Sequence, residues 1–164
     1  MTLPVLGLTF GDPGGVGPEI ICRLLIDSLK RPKFIPVIFG SRSILNHSFL
    51  RNIVKGIDFQ YDFDFKELKS GCIYFKDIEC SDDFVIGRPD QLNGQLSSDY
   101  ISEAVRCALR GDIDAIVTGP ICKESLALAK IGFTGHTSML KALSSVDSVS
   151  MAFYTSKLIT VGAE

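Results

Sequence analysis

Val5-Leu6-Gly7-Leu8-Thr9-Phe10-Gly11-Asp12-Pro13-Gly14-Gly15-Val16-Gly17-Pro18-Glu19 is the stretch that decides the fold class. Val5 to Thr9 is an apolar, strand-like run, and Gly11 through Gly15 breaks it. Helical spacing starts at Pro18, a residue well suited to a first helical position. Beyond it, Ile20, Ile21, Leu24, Leu25 and Ile26 share one broad face. The glycines let the backbone take left-handed conformations and approach a ligand closely. The helix N-terminus adds free N–H groups and the positive end of a dipole, a natural anion site. The turn is not a Rossmann fingerprint, because Pro18, Glu19 and Ile20 follow Gly15-x-Gly17 with no third glycine. Nor is it a P-loop, since no Gly-Lys-Ser/Thr follows. Asp12, Gly15 and Gly17 are therefore either ligand-proximal residues or parts of a tight structural turn.

Working outward, Phe34 to Phe39 reads as a second strand, and Ser43 to Val54 as a weaker helix. Asp58 to Ile78 alternates aromatic and acidic residues, a pattern that suits an antiparallel strand or hairpin better than a parallel core strand. Gly87 to Gly94 is expected to be a loop. Ser97-Ser98 opens a long helix with Ile101, Ala104, Val105, Ala108 and Leu109 on one face, stopped by Gly111. Ala115 to Thr118 is expected to be a short buried strand. Gly119-Pro120 then leads into a helix with Ile121, Leu126 and Leu128 as its apolar contacts, and His136-Thr137 begins another through Leu143. Two closing strands are expected at Val149–Tyr154 and Leu158–Val161. Strands alternating with helices indicate an α/β protein with a largely parallel sheet flanked by helices. No helix follows the last strand, so the chain reads as one cut partway through a larger fold.

The 164 residues leave room for one ordinary domain. With 46% hydrophobic and 22% charged residues, the chain has a globular and not a disordered composition. A net charge of −2 carries no footprint of nucleic acid or a membrane surface as partner. The densest basic run, Lys30, Arg31 and Lys33, reads as a solvated helix end. No segment approaches the ~20 apolar residues of a membrane span, and Met1-Thr2-Leu3-Pro4 lacks the features of a signal peptide. A cytoplasmic location is the expectation. Five cysteines without a C-x-x-C pair argue for reduced thiols, with Cys107 in the core. The chain has two histidines, so a site built from several imidazoles cannot be completed by these residues alone.

Further candidates stand on loops. Gly132-Phe133-Thr134-Gly135-His136-Thr137 places an imidazole and a hydroxyl at a loop-to-helix junction. His136 could bind a phosphate or carboxylate, or act as acid or base near neutral pH. Thr137 could bind ligand or simply cap the helix. Thr118 and Lys123 flank the end of a strand, where ligands bind in parallel α/β sheets, although Lys123 could equally be a solvated helix residue. Asp112, Asp114 and His47 read as surface residues.

Together these segments resemble one family. Gly11-Asp12-Pro13-x-Gly15-x-Gly17-Pro18-Glu19 is similar to the opening motif of the 4-hydroxythreonine-4-phosphate dehydrogenases, and to the shorter glycine-Pro-Glu motif of isocitrate and isopropylmalate dehydrogenases. Gly87-Arg88-Pro89, the helix carrying Ala104, Asp114 to Lys123 and Gly135-His136-Thr137 follow in that family's order. The resemblance implies an isocitrate/isopropylmalate dehydrogenase-like fold, with two α/β domains flanking a cleft in a homodimer. These 164 residues would be the N-terminal portion of a chain roughly twice as long. It implies oxidation of 4-phosphooxy-L-threonine with NAD (or NADP), giving a 3-oxo acid that loses carbon dioxide, in vitamin B6 synthesis. His136 and Thr137 map onto the substrate-binding pair. A divalent metal (zinc, magnesium or cobalt) would be held by three family histidines that all fall beyond Glu164, so no metal ligand and no catalytic residue is assigned here. The residue after Gly-His-Thr, commonly acidic in the family, is Ser138. The alternatives are a relative acting on 4-phospho-threonate and a non-catalytic module that binds a phosphate ligand. The residues as they stand are expected to be inactive alone.

Overall fold

The computed structural model describes residues 3–81, 83–154 and 159–163. Strand β1 (Val5–Thr9) runs into the glycine turn, and helix α1 (Gly17–Lys30) follows it. Then come β2 (Ile35–Gly40), two short helices α2 (Arg42–Asn46) and α3 (Ser48–Arg51), β3 (Phe59–Gln60), a 3-10 turn at Phe65–Glu67 and β4 (Ile73–Asp77). The 20-residue helix α4 (Gln91–Arg110) leads to β5 (Ala115–Thr118), α5 (Lys123–Leu128) and α6 (His136–Leu143). Strands β6 (Ser150–Tyr154) and β7 (Ile159–Ala163) pair antiparallel with each other, apart from the main sheet. Leu158, expected at the start of the second closing strand, lies outside the described residues.

The main sheet has the order β3-β4-β2-β1-β5, and each neighbouring pair is parallel. β1 is central, with Leu6 opposite Pro36 on one side and Ala115 on the other. Every residue of β2 is buried, as expected for a strand covered on both faces. The core gathers Leu8, Phe10, Phe39, Phe75 and Tyr100, with Phe10 edge-on to both Phe75 and Tyr100 at 5.7 and 6.4 Å. The Tyr100 hydroxyl reaches Ser41 Oγ at 2.7 Å, so this large ring buries no orphan polar atom. A smaller cluster, Ile101, Val105, Leu126 and Met139, joins α4, α5 and α6.

Several expectations are corrected. The region 58–78 holds two parallel strands and no hairpin. Ile73, Tyr74 and Phe75 form a continuous buried run beside β2, and the alternating aromatics Phe59, Tyr61 and Phe63 pack on the rings of Phe75 and Tyr74. Helix α4 starts at Gln91, so Asn93-Gly94 is helical and not loop. Asp90 is its N-cap, accepting from the Leu92 N–H at 2.8 Å, and the buried residues of its first turns are polar or small because they face α5 and the loop at Val85. Gly111 ends the helix in the left-handed conformation, as expected. β5 is an edge strand with Ala115 and Val117 exposed, and is not buried. On α1 the buried face is Ile21, Cys22 and Leu25, while Ile20 and Leu24 are exposed. Leu109 and Leu128 are exposed as well. The single helix expected at 43–54 is two, because His47 is extended and its ring packs against Phe49 and Phe84. His47 is thus half-buried and not a surface residue. Cys22, Cys72, Cys107 and Cys122 carry free thiols, and Cys107 is buried. Among the described residues no helix is long and apolar enough to cross a membrane.

Candidate functional site

The loops that leave the carboxyl ends of β1 and β5 are joined to each other. The Asp12 N–H donates to Pro120 O at 2.8 Å, and the Gly119 N–H donates to Thr9 O at 2.9 Å. Gly11 has φ +71, and a Cβ there would run into the Pro120 carbonyl, so only glycine lets the two loops meet. Gly17 packs directly on the Phe10 carbonyl, which brings the N-terminus of α1 against the sheet. Asp12 is buried and both of its oxygens are engaged. Oδ1 accepts from the Gly14 N–H and Oδ2 from Ser125 Oγ, each at 2.8 Å. The Gly15 N–H turns inward to Asp12 O at 3.0 Å. Amides that could have faced an anion are therefore spent on holding the turn.

A cavity of about 470 Å³ opens beside this junction, lined by Pro120, Ile121, Lys123, Thr134, Gly135, His136, Thr137 and Ser138. It collects three of the residues singled out from sequence: His136, Thr137 and Lys123. Helix α6 begins at His136 after Gly135, and no side chain caps it. Thr137 is thus not the cap that one reading of the sequence allowed. The residue closing this loop is Ser138, whose Oγ accepts from the Thr134 N–H at 3.2 Å and donates to Gly135 O at 3.1 Å. Its hydroxyl is short enough to fold back on the loop. His136 is half-buried, and its Nε2 is buried with no hydrogen-bond partner. Burial lowers the pKa of the ring below its ordinary value, with the Gly119 backbone opposing the effect, so the imidazole is neutral at physiological pH. A neutral ring has one donor and one acceptor, and the Gly119 backbone engages it on one side.

A second cavity of about 640 Å³ shares the Pro120-Ile121 wall. Asp12 and Gly15 line it, together with Val16, Phe49, Ile86 and Arg88. Gly17 and Thr118 line neither cavity: Gly17 is buried, and Thr118 is half-buried at the end of β5, opposite Thr9. Sequence reasoning missed Ser125, which holds Asp12 across 113 residues, and Thr134. No local signal marks a partner that far away. Among the described residues no three His, Cys, Asp or Glu side chains stand together as a metal site, so no metal-dependent step is assigned to them.

Comparison with known proteins is consistent with this arrangement. Residues 33–163 match the family described as pyridoxal phosphate biosynthetic protein PdxA. The chain is 32% identical over 155 residues to a 4-hydroxythreonine-4-phosphate dehydrogenase of Synechocystis, covering 93% of this chain and 43% of that protein. It is 31% identical over 147 residues to a Clostridium botulinum protein provisionally named a D-threonate 4-phosphate dehydrogenase, covering 88% and 44%. The crystal structure of a 4-hydroxythreonine-4-phosphate dehydrogenase from Burkholderia phymatum superposes with a TM-score of 0.81 at 31% identity, covering 98% of this chain and 49% of that one. The chain spans about half the length of the relatives it matches. With the parallel sheet, the glycine turn and the His136 loop in place, the chain belongs to the PdxA family of pyridoxal phosphate biosynthetic proteins.

Proposed function

We propose that these residues form the substrate-side portion of a two-domain, homodimeric cytoplasmic dehydrogenase. The whole protein would oxidise 4-phosphooxy-L-threonine with NAD or NADP and a divalent metal. The 3-oxo acid formed then decarboxylates to 3-amino-2-oxopropyl phosphate on the way to pyridoxal phosphate. One observation supports this reading most: the unpartnered Nε2 of His136, beside Thr137 in a polar cavity at the carboxyl end of a parallel strand. Buried polar atoms are rarely left without a partner, so a ligand oxygen is a natural complement to this nitrogen.

In this reading His136 and Thr137 bind and orient the substrate. The imidazole gives a hydrogen bond without a charge, and the hydroxyl gives or accepts a second. Ser138 holds the loop in shape through Thr134 and Gly135. Among the described residues no three metal-ligating side chains stand together, so the metal enters no step assigned to this chain.

The test is steady-state kinetics of the full-length protein and its His136→Ala variant. The variant is expected to raise KM and lower kcat/KM for 4-phosphooxy-threonine, because a substrate contact is lost. Unchanged kinetics would reduce His136 to a structural residue. A second reading, oxidation of 4-phospho-threonate, is favoured by the match to the Clostridium botulinum relative. Both substrates belong in the same assay, and a clear preference for the threonate would replace the first reading with the second.

A further inference from the structure

We propose that Lys123 is the cationic anchor of the His136 cavity, holding an anionic oxygen group of the substrate, either its phosphate or its carboxylate, against the imidazole and hydroxyls of the opposite wall. This rests on the proposed function and adds to it a residue, a charge and an orientation.

Lys123 is the first residue of α5, and its side chain crosses from the β5 loop to the loop before α6. Its Cε lies 3.7 Å from where a Cβ on Gly135 would be. The ammonium is thereby carried to the mouth of the cavity lined by His136 and Thr137. No carboxylate lines that cavity. Asp12, which lines the adjoining cavity, is already engaged by the Gly14 N–H and Ser125 Oγ. Among the described residues Lys123 stands in no ion pair. Since burial keeps His136 neutral near pH 7, the positive charge of the cavity comes from Lys123. No acidic residue occupies the first turn of α6, and Glu124, the acidic residue in the first turn of α5, is exposed and does not line the cavity.

A partly enclosed cavity with one uncompensated cation and three hydroxyl groups favours an oxyanion and repels an ammonium. A substrate carrying both is oriented by this alone: its anionic end enters beside Lys123, and an amino group at the other end points away. The oxyanion could be the phosphate or the carboxylate, because Lys acts as a point charge and accepts either.

The test uses the full-length protein with Lys123→Met, Lys123→Arg and His136→Ala, each checked for native circular dichroism. Inorganic phosphate and acetate serve as separate probes, titrated calorimetrically and as inhibitors competitive with substrate. Lys123→Met should weaken binding of the recognised anion on the order of tenfold, and Lys123→Arg should recover part of it. Substrate KM should rise with kcat little changed, and the difference from the parent should shrink in high salt. Loss confined to phosphate assigns the phosphate end, and loss confined to acetate assigns the carboxylate end. Unchanged affinity for both probes in Lys123→Met overturns the inference. If His136→Ala raises KM while Lys123→Met does not, the proposed function stands and the Lys123 assignment falls. If neither variant changes KM, both fall.

Discussion

Replacing Asp12 by alanine should loosen the junction between the β1 and β5 loops, and the size of the effect follows from its contacts. The carboxylate is 5% exposed and accepts two hydrogen bonds of 2.8 Å, from the Gly14 N–H and from Ser125 Oγ. Hydrogen bonds to charged groups are worth about 1.5–3 kcal/mol each, and truncation leaves both donors without a partner. The sum is about 3–6 kcal/mol. The loop can relax toward solvent, so a loss of about 3–4 kcal/mol is expected, a large share of the ~5–15 kcal/mol that holds a domain together. At roughly 2–4 °C per kcal/mol for a chain of this size, the melting temperature should fall by about 10 °C. The Asp12 N–H to Pro120 bond belongs to the backbone and survives, so the fold should persist. Urea unfolding followed by far-UV circular dichroism measures the change in midpoint at constant m. A cycle with Ser125→Ala isolates the one bond, with an expected coupling of about 1–2 kcal/mol. A loss under about 0.5 kcal/mol for Asp12→Ala, or strict additivity with Ser125→Ala, would refute the claim that this carboxylate holds the turn.

The two glycines of the turn should behave differently in thermal unfolding. Gly17→Ala drives a Cβ into the Phe10 carbonyl and should cost about 2–4 kcal/mol, whereas Gly15→Ala, whose Cβ would sit 3.5 Å from Asp12 O, should stay within about 1 kcal/mol of the parent. Burial pushes the Cys22 thiol up from 9.0 to about 12 and raises the Tyr100 phenol as well. The folded state keeps protons that the unfolded state gives up, so stability is level below about pH 8 and falls as pH rises through about 9 to 10. Urea midpoints that stay flat across that range would contradict it. For His136 the sign is reversed. Its pKa is lowered in the folded state from 6.5, so stability is lost as pH falls through that value, and the ring should titrate below it. Proton NMR on the chain's two imidazoles, with His136→Ala for assignment, reads this directly, and inorganic phosphate should move the His136 titration upward.

What could be read in advance was what local chemistry dictates. β1, β2, the stop at Gly111 and the start of α6 at His136 are set by apolar runs and glycines acting within a few residues. The errors all concern long-range partners. Alternating aromatics near Phe59 suggested a hairpin because their burial against Phe75 and Tyr74 comes from tertiary packing. The polar first turns of α4 hid its true start, since Asn93 is buried by bonding the Val85 backbone and Gly94 by close contact with α5. The apolar stripe of α1 was drawn too wide because spacing cannot tell which of Ile20 and Ile21 meets the sheet. At the site, His136, Thr137 and Lys123 could be nominated one by one, but their shared cavity depends on how α5 and α6 pack. Asp12 stands out in the sequence as a carboxylate inside the glycine turn. Its role as a tie to Ser125 was invisible because the two are 113 residues apart.

The central place of β1 also has a bearing on synthesis. Its neighbour β2 ends at Gly40, but the strand on its other side starts only at Ala115. A ribosome adding 5–20 residues per second needs about 4 to 15 s to cross that interval. Throughout it, one edge of β1 stays unpaired, a standing invitation to intermolecular pairing. The nascent chain is therefore most in need of a holding chaperone in the window that closes when the strand ending at Thr118 clears the exit tunnel.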